Sequence, residues 1–122
     1  MPIMHNLMAL TKMKQGEIWM ANLDPTRGSE QAGFRPILIF SGDLFNTHTP
    51  LIIGLPLSTK IKNYKGNLVL EPSPENGLKE RSEVFTFHIR SISKERCVQK
   101  IGRIPSKDLK EIRKALEEIL TY

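Results

Sequence analysis

The chain has 122 residues, 39% of them hydrophobic and 25% charged, a balance that fits one globular domain and excludes a second domain with its own core or a disordered polyelectrolyte. Its net charge of +5 is unevenly placed: residues 1–57 and 107–122 each set four basic against four acidic side chains, whereas 58–106 hold ten basic against five. Such a surplus attracts polyanions by Coulomb steering and counterion release, although solvated faces of many proteins carry a similar excess.

Residues 1–12 contain Met1, Met4 and Met8, with Met13 following, so translation has several possible starts. They have no leading positive charge and no sustained apolar stretch, and are expected to be a loose extension rather than a secretory leader. The folded domain is expected over 13–122. A first strand begins at Glu17 and ends where Asp24, Pro25 and Gly28 break it. The apolar runs 36–40 and 51–57 are bounded by turn residues, as expected of strands buried on both faces at the centre of a sheet. Both are far shorter than the ~20 residues needed to cross a bilayer, so no membrane span and a cytoplasmic location are expected.

Three further strands are predicted at 67–71, 83–88 and 98–104, separated by Pro72, Pro74 and Gly77 and by the polar stretch 91–96. After Pro105, Ser106 is placed to cap a helix whose apolar positions Leu109, Ile112, Leu116, Ile119 and Leu120 share one face. Six short strands and one terminal helix predict a mainly β fold, a small barrel or half-open coiled sheet. The lone Cys97 can form no internal disulfide and no cysteine-based metal cage, and reads as a small core or surface thiol.

Motifs for metal or nucleotide chemistry are absent from the sequence. His5, His48 and His88 are far apart, no HxH or HExxH spacing occurs, and neither a GxxxxGK[ST] loop nor a GxSxG elbow is present. No metal and no cofactor is expected. The informative segment is the polar loop DPTRGSEQAGFRP over 24–36, which runs straight into an apolar strand. Arg35 lies at that junction beside Pro36, which restricts its backbone. A guanidinium so placed can fork onto two phosphate oxygens and stabilise charge developing on phosphorus. The competing reading pairs Arg35 with Glu30 only to tie the loop down.

The segment LDPTRGSEQAGFRPILIFS at 23–41, preceded by GEIW at 16–19, resembles the signature of the MazF/PemK family, the mRNA interferase toxins of type II toxin–antitoxin pairs. LPLSTKI at 55–61 and IRSISKERC at 89–97 agree, and the resemblance covers roughly 13–122. It implies an SH3-like β-barrel with a C-terminal helix, a homodimer, and metal-independent cleavage of single-stranded RNA. It also implies a MazE/PemI-like antitoxin whose acidic tail covers the RNA groove. Among site residues it implies catalytic roles for Arg35 and for a hydroxyl that falls on Ser58 or Thr59. The chemistry of the available groups adds Glu30, expected to orient Arg35 or act as base. Arg27, Gln31, Asn46, Lys60, Lys62, His88 and Arg90 are the candidate substrate contacts, Arg90 serving alternatively at a dimer contact. Some PemK-branch members use an Arg-x-Asp where this chain reads Phe85-Thr86-Phe87, so that route is absent, and Phe85 and Phe87 are candidates for base stacking or core packing. Trp19 reads as a core anchor. The rival expectations are a non-catalytic nucleic-acid-binding barrel and a gyrase-poisoning toxin of the same fold, whose members lack the GSEQxGxRP loop.

Overall fold

The computed structural model describes residues 12–23 and 33–122. Among them lies one antiparallel seven-stranded sheet: β1 (Glu17–Asn22), β2 (Phe34–Ile39), β3 (Leu51–Ser58), β4 (Leu68–Leu70), β5 (Ser82–Val84), β6 (Arg90–Ser93) and β7 (Cys97–Arg103). The strand order is β4-β5-β3-β2-β1-β7, with β6 also paired to β3. A short helix, α1 (Asp43–His48), joins β2 to β3, and α2 (Ser106–Thr121) follows β7. The result is the mainly β, SH3-like half-barrel with a C-terminal helix that the sequence implies. The extension expected at 1–12 falls, except for Lys12, outside the described residues.

The central strands are buried on both faces, as their unbroken apolar runs dictate. In β2, Leu38 joins Ile18, Leu55, Leu57 and Val84 in one cluster, while Ile37 and Ile39 join Met13, Ala21, Ile52 and Ile92 in another. Trp19 packs, half-buried, against the second cluster, and Cys97 is buried within it. Burial pushes the Cys97 thiol up to about 11, so it stays protonated near neutrality. Helix α2 seals the first cluster with Ile112, which contributes about 1.5–3 kcal/mol by leaving water. Ile119 and Leu120, expected on the same buried face, are exposed at the helix end.

Three local expectations are corrected. The strand predicted at 83–88 stops at Val84, and Thr86–His88 form a 3₁₀ turn. The chain then rejoins the same edge of β3 as β6, where a polar connection was expected: Leu57 pairs with Val84 and Gly54 with Arg90, so three steps along β3 match six along its partner. The excess of three is the turn, which loops out of the ladder. α1 has only six residues, too short to show a helical period in sequence. Finally, Ser106 is the first residue of α2; the cap position is Pro105, and no side chain bonds the helix start.

Candidate active site

The polar cleft sits where β2 begins and β3 ends. Along these strands Ile37 pairs with Pro56, Leu38 with Leu55 and Ile39 with Gly54. Arg35 lies two residues before Ile37, and Ser58 two residues after Pro56, at the same end of this ladder. Both side chains border two adjoining cavities of about 340 and 420 Å³, which also share Leu57 and Phe85. His88 and Arg90 line the first, Thr59, Lys60 and Lys62 the second. One cleft therefore gathers seven of the candidate residues from three separate stretches of sequence.

The strand alternation explains why Ser58 is available. Leu57 is 1% exposed in the core, so its neighbour Ser58 turns to the other face, half-buried, while Thr59 lies beyond the strand and is exposed. Ser58 Oγ accepts the backbone N–H of Lys60 at 3.1 Å. That contact occupies one lone pair and leaves the hydroxyl proton free to donate. The hydroxyl end of β3 thus caps the turn while bordering both cavities.

The cleft is cationic. Arg35, Lys60, Lys62 and Arg90 are exposed, and none forms an ion pair with a described residue; the two pairs found among described residues, Arg81–Glu71 at 2.8 Å and Lys100–Glu17 at 3.0 Å, lie elsewhere. Lys94, counted in the basic surplus of 58–106, adds nothing to this surface: it is 5% exposed, and burial lowers its pKa. No three His, Cys, Asp or Glu side chains among the described residues converge as metal ligands.

An acid that sequence inspection treated only as strand and charge organises one wall. Glu83 is fully buried. Its Oε1 accepts the backbone N–H groups of Lys62 at 2.6 Å and Asn63 at 2.9 Å, and its Oε2 accepts that of Tyr64 at 3.1 Å and Asn67 Nδ2 at 2.8 Å. Burial raises its pKa, but the Asn67 bond and the three backbone bonds outweigh that and hold it below the ordinary carboxylate value. The loop bends through Asn63 at φ 55° to bring these donors together. A run of free turn amides two strands away from a buried acid is not a sequence pattern, and no periodicity signals it.

Of the remaining candidates, the one described residue, Asn46, does not line the cleft. Asn46 is fully buried in α1, where Nδ2 donates to the Ser41 carbonyl at 3.0 Å and Oδ1 accepts the Ser41 hydroxyl. A substrate contact from Asn46 is therefore replaced by a structural role: its amide ties α1 to the end of β2, and Ser41 Oγ in turn accepts Ile53 N–H at 2.8 Å. Arg27, Glu30 and Gln31 lie outside the described residues.

The family described as PemK-like, MazF-like toxin of type II toxin–antitoxin system matches residues 14–120. The endoribonuclease MazF9 of Mycobacterium tuberculosis is 36% identical, over 86% of this chain and 93% of its own. Among solved structures, MazF from Deinococcus radiodurans is similar with a TM-score of 0.73 at 28% identity, covering 90% of this chain and 97% of that one. A mycobacterial endoribonuclease in complex with its cognate antitoxin shares the fold, with a TM-score of 0.71 at 22% identity over 88% and 94%. With almost its whole length matched, the chain belongs to the PemK-like, MazF-like toxins of type II toxin–antitoxin systems.

Proposed function

We propose that this chain, an endoribonuclease by its family, cuts single-stranded RNA at a short sequence without a metal ion, using Arg35 and the Ser58 hydroxyl. The observation that carries this reading is that these two side chains border both cavities of one cation-lined cleft. RNA holds its own nucleophile. A base takes the 2′-hydroxyl proton, the 2′-oxygen bonds to phosphorus, and the phosphorus–O5′ bond breaks as O5′ gains a proton. The products are a 2′,3′-cyclic phosphate and a 5′-hydroxyl.

Arg35 stabilises the phosphorane through two N–H groups, and Ser58 donates its hydroxyl proton to a nonbridging oxygen. Ser58 is favoured over Thr59 because it borders both cavities and Thr59 one. Glu30 orients Arg35 or serves as base; a guanidinium stays protonated and is a poor proton carrier. Lys60, Lys62, His88 and Arg90 hold the strand, with Arg27 and Gln31 contributing from the preceding loop. An acidic antitoxin tail would cover the same cations, and the working unit is a cytoplasmic homodimer.

The test is to incubate the purified chain with RNA in excess EDTA and map the fragment ends. Cuts at one short motif with cyclic-phosphate ends support the reading. Stable shifts without cuts would replace it by a non-catalytic binding barrel, and gyrase inhibition with intact RNA by the other toxin class. A monomer by light scattering at micromolar concentration would contradict the dimer.

A further inference from the structure

Beside the cleft lies a group of four rings. Phe87 is 6.0 Å from Phe85 with the planes 26° apart, and meets Tyr64 edge-on at 5.6 Å and His88 edge-on at 4.9 Å. Rings packed this way bury themselves in most proteins, yet Phe87 is 43% and Tyr64 48% exposed. Phe85 continues from this group into both cavities, and His88 into the one with Arg90. The ring surface and the cleft are therefore one continuous surface, edged by Lys60 and Lys62.

The rings are held, not loose. Phe87 and His88 ride on the 3₁₀ turn that loops out of the β3 ladder, and Tyr64 on the loop after Ser58. Glu83 gathers the loop amides and Asn67; Asn67 Oδ1 then accepts Thr86 N–H at 3.0 Å, and Thr86 Oγ1 donates to the Gly66 carbonyl at 3.2 Å. One buried carboxylate thus fixes both ring-bearing segments relative to each other. Such fixed rings lose little entropy when a planar ligand lands on them.

We propose that Tyr64 and Phe87 form a stacking shelf for a nucleobase next to the scissile phosphate, and that Glu83 is the positioning residue that sets the shelf against the cleft. The proposal rests on the RNA reading above and names where the strand continues. Every base offers a π-face, so an aromatic shelf beside a cationic channel suits single-stranded nucleic acid. The shelf selects for an unpaired strand, since a base in a duplex cannot turn onto it.

Cut sites are first mapped on a transcript, and an oligoribonucleotide spanning one is made with a 2′-O-methyl group on the attacking nucleotide so that it binds uncut. Single abasic residues are placed along it, and Kd is read by fluorescence anisotropy for the native chain and for Phe87→Ala. Phe87→Ala should weaken binding about tenfold. One abasic position should cost the native chain a similar factor and cost Phe87→Ala nothing. Equal abasic losses in both proteins at every position, or an unchanged Kd for Phe87→Ala, would overturn the shelf.

On the cleavable oligonucleotide, Glu83→Gln should raise KM as Phe87→Ala does, hold kcat within about twofold, and add nothing to Phe87→Ala in the double variant. Additive losses, or a fall in kcat at constant KM, would remove Glu83 from this role. If Glu83→Gln folds poorly, Asn67→Ala cuts the same clamp and is held to the same outcome. A native chain that cuts no RNA ends both readings, whereas mapped cuts without abasic coupling end the shelf alone.

Discussion

Arg35 near the start of β2 and Ser58 at the end of β3, two strands paired in one sheet, border the same two cavities. Cross-strand placement on a rigid sheet sets two phosphate-directed groups at a fixed separation without relying on a loop. The Lys60 N–H on Ser58 Oγ further restricts where the hydroxyl proton can point.

Removal of that hydroxyl tests the assignment between neighbours. Ser58→Ala should lower the single-turnover cleavage rate by about 10²–10³, and Ser58→Thr should restore most of it. Thr59→Ala should leave the rate within a few-fold of native. The reverse order, with Thr59→Ala the damaging change, would move the role to Thr59.

Asn46 should matter for stability and not for cleavage. Asn46→Ala strands the buried Ser41 hydroxyl and carbonyl and should lower unfolding free energy by about 1–3 kcal/mol. A lower urea midpoint with an unchanged rate per folded molecule is expected. A rate loss with native stability would restore Asn46 to the substrate site.

Glu83 gives the fold a pH dependence of known sign. Its folded pKa is depressed below the ordinary 4.5, so its stabilisation is fully present above that value and is lost as pH falls through the folded one. Glu83→Gln lacks this component. Urea midpoints measured from neutrality downward should therefore fall more steeply below pH 4.5 for the native chain than for the variant; parallel curves would contradict the assignment.

Salt titration reads the cationic wall. Binding of an uncleavable oligonucleotide should weaken with salt, and Lys60→Ala and Lys62→Ala should each reduce the log–log slope by about 0.7 if the lysine neutralises one phosphate. A slope untouched by both changes would place these lysines away from the strand.

The sheet was readable from sequence because its central strands are apolar on both faces, a pattern that composition alone sets apart in 36–40 and 51–57. What escaped was short or interrupted. The strand predicted at 83–88 continues in its β propensity past Val84, and nothing local reveals that β3 pairs with the chain again only after a three-residue excursion. α1 completes too few turns to show a period. Of the residues lining the cleft, Arg35 stood out at the loop–strand junction, and the hydroxyl pair was reached only through the family resemblance. The Glu83 clamp was not, since it joins a strand acid to backbone amides some twenty residues away and side-chain identity says nothing of those donors. Asn46 shows the converse: a polar residue near a predicted loop is drawn inward by the Ser41 groups it satisfies.

The central claim is tested most directly at position 35. With RNA in excess EDTA, single-turnover cleavage by the native chain is compared with that by Arg35→Ala, folding being followed by circular dichroism. The account predicts robust native cleavage under chelation and a loss of about 10³–10⁵ in the folded variant. Native activity abolished by EDTA, or substantial residual cleavage by Arg35→Ala, would contradict it.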